Sequence, residues 1–501
     1  GALAGEDDVY EAAFQRAGIE RVFEVGDMFE CAELLARHRV PPGERLAIVT
    51  NAGGPGVMAC DALIAHRGEL ANLSDETIAR LNQILPAQWS KGNPVDILGD
   101  APPDRYADAT RLVLADGGVY TVLVILTPQA MTDPTAAAEQ VAEVARKTQK
   151  AVLTAWMGGE AVAAGMRVLD AAGVPSYSHP EQAIRAYMHL TSYARNLDTL
   201  YETPREVPGQ FGLQLRQRRR LSGQTLEGDS EVMSEIDAKK LLDAYDIPVT
   251  MPHEARTADE AVQRARAIGM PVVLKILSPQ ITHKTDVGGV ILNLHDENDV
   301  RQAFEKITTD ARQAAPEATI TGVTVQKMFT APHSTEMILG AKSDATFGSV
   351  MLLGTGGVAA EVFRDRVLGF PPLNERLARR MIQSLRSWPL LNGYRGRPAV
   401  NVDALIEVIV RFSYLIADHV RLRECDVNPL VVSPEGVMAL DARIGVDPTR
   451  HDDDGMPYAH LAIRPYPEQY MRPAVLRDGT QVQLRPIKPE DEPMWHELLE
   501  S

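Results

Sequence analysis

Uninterrupted apolar runs alternate with Ala-rich amphipathic stretches along the N-terminal part of the chain. Leu46–Thr50 (LAIVT), Tyr120–Leu126 (YTVLVIL) and Ala151–Trp156 (AVLTAW) are strand-length and almost wholly apolar. They show no alternation that would mark a wet face, so both faces of their sheet are predicted to be covered. The intervening stretches VMACDALIAH, AAAEQVAEVARK and GEAVAAGMRVLDAAG carry apolar residues at helical spacing. Strand followed by helix, repeated, predicts the α/β class and a doubly wound parallel sheet, flavodoxin-like, over residues 37–204. Residues 1–36 read as helix, short strand (VFEV) and helix, the expected tail of a domain that begins earlier.

The pattern changes after residue 229. Helices are predicted over 231–245 and 298–314, and strands over 271–277, 287–294, 320–329, 335–341 and 349–353. A closing strand pair is expected over 424–432 and 436–443. Hairpins mixed with helices point to an α+β domain over 229–447. Polar linkers are expected over 205–228 and 448–473. Residues 474–501 read as turn, strand, turn and the start of a helix, too little to fold alone.

With 501 residues and 45% hydrophobic content, there is ample material for several cores. The net charge of −17 argues against nucleic-acid binding, which needs a basic face. The short basic run Arg216, Arg218, Arg219 and Arg220 has no interleaved aromatics and reads as a solvated linker. No stretch approaches the roughly 18 apolar residues of a membrane span, and the first residues do not form a signal peptide. Three distant cysteines, Cys31, Cys60 and Cys425, suit a reducing cytoplasm and give no metal-binding spacing. The HDDD run at 451–454 reads either as a metal site or, more plainly, as a hydrated acidic loop.

Candidate chemistry concentrates in the second half. Lys275 ends an apolar strand, where an ammonium is costly unless it faces a cleft holding an anion. The alternative is an edge strand with Lys275 in water. Gly354-Thr355-Gly356-Gly357 follows the apolar run VMLL, and such a loop either exposes backbone N–H groups to phosphate or simply turns. Asn428 and Asp441 fall on two hairpin-like strands and offer hard oxygen donors suited to Mg²⁺; the plain reading is a turn Asn and a solvated Asp. His283, in THKTDVGGV, is either a surface loop residue or a nucleophile that accepts a phosphoryl group.

Taken together, LKILSPQITHKTDVGGVILNL, VQKM, EMILGAKSDATFGSVMLLGTGGVAAEVFRD, LLNGYRG and CDVNPLVV…GVMALDARI resemble the ATP-grasp domain of ADP-forming acetyl-CoA synthetases. These are relatives of succinyl-CoA synthetase. The resemblance implies ATP/ADP, Mg²⁺ and CoA as cofactors and substrates. Lys275 and Gly354, Thr355, Gly356 and Gly357 would hold phosphates. Gln326, Lys327 and Met328 would line the adenine, and Glu336 would lie beside ribose or metal. Asn428 and Asp441 would hold Mg²⁺, and His283 would relay the phosphoryl group. The N-terminal stretches TNAGGPGVMACDAL and NPVDILGDA look like the CoA-ligase part of the same enzymes. By this resemblance the primary phosphohistidine motif runs into Gly1, so that histidine and the Rossmann-type CoA-binding domain lie outside the chain.

The implied activity interconverts acyl-CoA, ADP and phosphate with carboxylate, ATP and CoA. Its partners would be small molecules, with no nucleic acid and no membrane; assembly as a homo-oligomer is left open. Residues 474–501 resemble the start of a GNAT-type acetyltransferase, an order known from bacterial bifunctional protein lysine acetyltransferases. Under that alternative the ligase-like part senses nucleotide or acyl-CoA, and protein lysines are substrates.

Overall fold

A computed structural model describes residues 6–37, 40–205, 231–281, 284–357, 365–450 and 458–500. Two compact units divide the chain: Phe14–Leu200, and Tyr201–Ser501 together with Gly1–Ala13. Helix α1 covers Glu6–Arg16.

The unit Phe14–Leu200 is built on a parallel sheet. Its strands are β1 (Arg45–Thr50), β2 (Glu69–Leu70), β3 (Val95–Asp96), β4 (Thr121–Leu126), β5 (Ala151–Trp156) and β6 (Ser176–Tyr177). The order is β2-β1-β4-β5-β6, with β3 also paired to β1. Helices α2 (Val25–Arg37), α3 (Gly53–Ala65), α4 (Asp75–Ile84), α5 (Pro103–Ala115), α6 (Pro134–Arg146), α7 (Ala163–Ala171) and α8 (Pro180–Leu200) cover it. Successive strand residues point to opposite faces. Ala47, Val49, Val122 and Val124 therefore pack on α4 to α7, while Leu46, Ile48, Leu123 and Ile125 pack on α2, α3 and α8. Both faces are dry, as the uninterrupted apolar runs require.

The short strand expected at Val22–Val25 does not form. Val22–Glu24 are irregular, α2 begins at Val25, and Phe23 and Val25 are exposed. A strand exists only with a ladder partner, and local residue pattern says nothing of partners.

Two antiparallel sheets organise the second unit. The first contains β7 (His253–Ala255), β8 (Val272–Leu277), β9 (Val290–Leu294) and β10 (Gly322–Lys327), in the order β7-β10-β8-β9. Helices α10 (Ala258–Ile268) and α11 (Glu297–Ala314) cover one face, burying Val272, Leu274, Ile276, Val323 and Val325. The second sheet contains β11 (Thr335–Asp344), β12 (Gly348–Thr355), β13 (Arg366–Gly369), β14 (Leu422–Ser433), β15 (Gly436–Ala439) and β16 (Ala442–Val446). Helices α9 (Glu235–Ala244), α12 (Glu375–Ser384) and α13 (Val402–Asp418) pack on its apolar face, against Met337, Leu339, Val427 and Leu430. The C-terminal residues form a hairpin, β17 (Arg472–Val475) and β18 (Gln481–Leu484), followed by α14 (Glu492–Glu500). β17 begins inside the stretch expected to be linker.

The strand expected over 436–443 is broken in two. β15 pairs with β14 through Leu430↔Ala439, and β16 pairs with it through Val427↔Ala442. The break lies opposite Asn428–Pro429 of that one partner strand, where proline has no N–H for the ladder. Leu440 and Asp441 bridge the gap, with Leu440 N–H donating to the Pro429 carbonyl at 3.0 Å.

Candidate functional site

Helix α9 starts cleanly because Ser234 accepts a hydrogen bond from the Asp237 backbone N–H. Ala238, Leu241 and Leu242 seat it in the core. Glu235 and Lys239 lie one turn apart on this helix, and both are buried charges. Lys239 is 0% exposed. Its Nζ donates to the carbonyls of Thr250 (3.0 Å) and Leu440 (2.8 Å) and to Gln326 Oε1 (2.8 Å), and it lies 3.2 Å from Glu235 Oε1. A lysine survives at such a depth only with this many oxygen partners.

Lys275 projects from β8, which is paired on both sides by β9 and β10, so the edge-strand reading does not hold. Its neighbours Leu274 and Ile276 point the opposite way, into the helix-covered core. The Lys275 ammonium meets Glu235 Oε1 at 2.9 Å, the Leu440 carbonyl at 3.2 Å and Asp441 Oδ1 at 3.4 Å. Lys284 pairs with the other Glu235 oxygen. Gln326 completes the group, its amide donating to Glu235 Oε1 at 2.7 Å. Three ammoniums thus face two carboxylates, leaving one positive charge in excess.

The electrostatics follow from that packing. Burial opposes ionisation of Glu235, but Lys275, Lys239 and Lys284 overcome it and hold the carboxyl far below its ordinary range. Burial would also depress Lys275, yet Asp441 and Glu235 more than offset it and keep the ammonium firmly protonated. Lys239 goes the other way: burial, then repulsion from Lys275, brings it down to about 8.

The face of the six-stranded sheet opposite its helices carries the second group. Met337, Leu339, Val427 and Leu430 turn into the core, so the alternate positions Glu336, Asp426 and Asn428 lie on the other face. The ladder sets their spacing. Gly354 pairs with Ile338, and Ile338 stands opposite the Asn428–Pro429 irregularity. Gly354 and Asn428 are therefore two strands apart, roughly 10 Å. Asn428 follows Val427 and Asp441 precedes Ala442, which makes them neighbours across the next strand boundary. Gly356 presses on β11, its N–H donating to the Glu336 carbonyl at 2.8 Å; a Cβ there would sit 3.0 Å from backbone. Gly357 has φ +69, and a Cβ there would meet the Glu336 carboxylate at 2.9 Å. Both positions suit glycine alone.

Asp441 joins the two groups. Its Oδ1 takes the Lys275 ammonium and the Ala442 N–H at 3.0 Å; its Oδ2 has no hydrogen bond among the described residues, and its side chain is 42% exposed. Asn428 is exposed beside it. An open carboxylate oxygen next to an amide oxygen is the hard donor set that Mg²⁺ takes together with phosphate oxygens and water. Among the described residues no group of three or more His, Cys, Asp or Glu is arranged to hold a metal, so phosphate would have to supply part of the shell.

The other predicted residues divide. Lys327 turns away from the cluster, its ammonium donating to the carbonyls of Gly269 (2.6 Å) and Met270 (3.1 Å). Met328 is half-buried, its N–H donating to the Pro271 carbonyl. Gln326 is buried in the lysine cluster and presents no free amide. Thr355 points to the core side, opposite Met337. His283 lies outside the described residues, as does the HDDD run. Glu235, Lys239 and Lys284 were not anticipated. A signal existed for the first two: Glu235, Lys239 and Leu242 follow i, i+4, i+7 spacing, which sets two charges on the apolar stripe of α9.

Two family models match the chain. A family described as an ATP-grasp domain matches residues 224–446, and one described as a Ligase-CoA domain matches residues 46–196. Neither reaches residues 474–501. The ADP-forming acetate–CoA ligase I of Archaeoglobus fulgidus is 37% identical over 444 residues, covering 89% of this chain and 63% of that protein. The 4-hydroxybutyrate–CoA ligase (ADP-forming) of Nitrosopumilus maritimus is 32% identical, also covering 63% of its length. The beta subunit of ADP-forming acetate–CoA ligase I of Pyrococcus furiosus is 36% identical over 218 residues, which is 93% of that subunit. Among solved structures, acetyl-coenzyme A synthetase 1 of Ca. Korarchaeum cryptofilum, in complex with coenzyme A and Ca-AMPCP, aligns with a TM-score of 0.44 at 37% identity. That alignment covers 46% of this chain and 99% of the other.

The fold and matched families define an ATP-grasp domain joined to a CoA-ligase domain. The chain belongs to the ADP-forming acetate–CoA ligase family. It spans somewhat under two thirds of the length of the single-chain relatives.

Proposed function

We propose that this chain carries the nucleotide-handling part of an ADP-forming acyl-CoA ligase reaction. Acyl-CoA and phosphate give acyl phosphate and CoA. The phosphoryl group passes to a histidine nitrogen and from there to ADP, forming ATP, and the acyl group leaves as carboxylate. Splitting the transfer through histidine means that acyl and nucleotide substrates need not meet at one site. The observation that carries this reading is the buried Lys275 cluster, with its one uncompensated positive charge, set against the open carboxylate oxygen of Asp441.

In this reading Lys275 neutralises phosphate oxygens and the 354–357 stretch orients them from its Gly357 end, since the Thr355 and Gly356 N–H groups are bonded to the Asp365 and Glu336 carbonyls. Asn428 and Asp441 hold Mg²⁺, which when bound screens the charge on the phosphate tail. Gln326, Lys327 and Met328 form the strand beside the adenine; Gln326 acts by fixing Glu235 and Lys239, while Lys327 contributes backbone. Glu336, exposed beside Gly357, meets the ribose or the metal shell. His283 accepts the phosphoryl group on the nucleotide side. CoA, acyl-CoA, phosphate and nucleotide are the small-molecule partners. The working compartment is the cytoplasm, whose reducing thiol poise suits Cys31, Cys60 and Cys425, all free.

The test is phosphorylation by γ-labelled ATP with Mg²⁺. Acid-labile, base-stable label is expected in the wild-type chain and absent from His283→Ala. Label that persists in His283→Ala would move the relay to another residue, and a wild type that neither labels nor binds ADP would overturn the reading.

A further inference from the structure

The Lys275 ammonium is not free to meet a phosphate. Three internal oxygens surround it, from Glu235, Leu440 and Asp441, and its side chain is only 10% exposed. Two of these partners are fixed. Glu235 is 6% exposed and held by two further ammoniums and the Gln326 amide. The Leu440 carbonyl belongs to the backbone that bridges β15 and β16 and is also bound by Lys239. Asp441 is different: it is the longest of the three contacts, lies on the same bridge and is 42% exposed. One of its two oxygens has no partner among the described residues.

We propose, building on the nucleotide reading above, that Asp441 is a handover residue, pairing with Lys275 when no divalent cation is present and releasing it to phosphate when a cation claims the carboxylate. One side chain then couples metal binding to phosphate binding. The physical reason is competition. A carboxylate at contact distance from a nearly buried ammonium neutralises it, and an anion gains little from an already neutralised cation.

A bystander metal ligand and a handover residue differ in what Asp441→Asn does to nucleotide binding without metal. The experiment is calorimetric titration of the chain with ADP in EDTA and again in Mg²⁺, with thermal unfolding to confirm that the variant folds. Handover predicts that Asp441→Asn binds metal-free ADP about five-fold or more tightly than wild type, while the Mg²⁺ enhancement disappears. Glu424→Gln removes an equal charge from β14, away from the site, where Glu424 stands opposite Lys342 and Gly445, not Lys275. It is expected to leave metal-free affinity unchanged. A metal-free affinity in Asp441→Asn that is unchanged or weaker overturns the proposal. So does an equal gain in Glu424→Gln, which would mean a general field effect.

Should Asp441→Asn fail to fold, Mn²⁺ titration of Lys275→Met by electron paramagnetic resonance reads the reciprocal arm. Tighter binding of the bare ion than in wild type is expected, and unchanged or weaker binding sinks the idea. If wild type binds no ADP even with Mg²⁺, the nucleotide reading fails instead.

Discussion

The two units of the chain bury polar groups in opposite ways. In the Phe14–Leu200 unit the buried carboxylate of Asp116 serves the backbone. It accepts from the Ser74 N–H and hydroxyl (both 2.8 Å) and the Gly118 N–H (2.7 Å). Burial opposes its ionisation, but hydrogen bonds from Thr77, Ser74 and Gly118 bring it down to about 2. Such a group fixes a loop and asks nothing of a ligand. In the second unit the buried carboxylate of Glu235 gathers three side-chain ammoniums instead. Isolated charges at that depth would cost several kcal/mol each, and nothing in packing requires them. A fold keeps such a group where charge is needed for something other than the fold.

That contrast can be broken experimentally. The largest effect is expected from Glu235→Ala, which strands the ammoniums of Lys239 and Lys275 in the interior. Denaturant unfolding should show a loss of about 3–5 kcal/mol, and ADP binding should vanish with it. Leu123→Ala, in the all-apolar core of the parallel sheet, should cost a comparable 2–5 kcal/mol or so yet leave ADP affinity unchanged. Equal loss of binding in both would mean that the contrast reflects stability alone.

The pH dependence of stability sharpens the same point. Lys239 loses its proton near pH 8 when folded, against 10.5 for its ordinary value. Between these values the unfolded chain holds the extra proton, so Lys239 makes stability rise with pH across this window and contributes no slope below it. Wild type should gain on Lys239→Met by up to about 1.4 kcal/mol per pH unit between pH 8 and 10.5. Parallel curves would show that Lys239 titrates normally. The smallest effect belongs to Ser74→Ala, which removes the cap of α4 and should cost about 1 kcal/mol of stability with no change in ADP binding.

How much of this could be read from residues alone depended on range. The parallel sheet was legible because a strand covered on both faces has to be largely apolar, and β1, β4 and β5 are, with only Arg45 and threonines as exceptions. The break between β15 and β16 was not, because its cause lies in the partner strand: both pair with β14, and the ladder is interrupted opposite Asn428–Pro429. Lys275 drew notice as a charge on an apolar strand and Asp441 as a hard oxygen donor, while their ion pair is a product of tertiary structure. Lys239 and Lys240 show the limit most sharply. They are identical neighbours in sequence, yet one side chain is 0% exposed and the other 57%. Only helical phase separates them.

The Lys239 ammonium has one further consequence. It is bonded at once to Gln326 on β10 and to the Leu440 carbonyl beside β15, so a single cation rivets the two antiparallel sheets together. Widening the gap at that point would strip a fully desolvated charge of its oxygens.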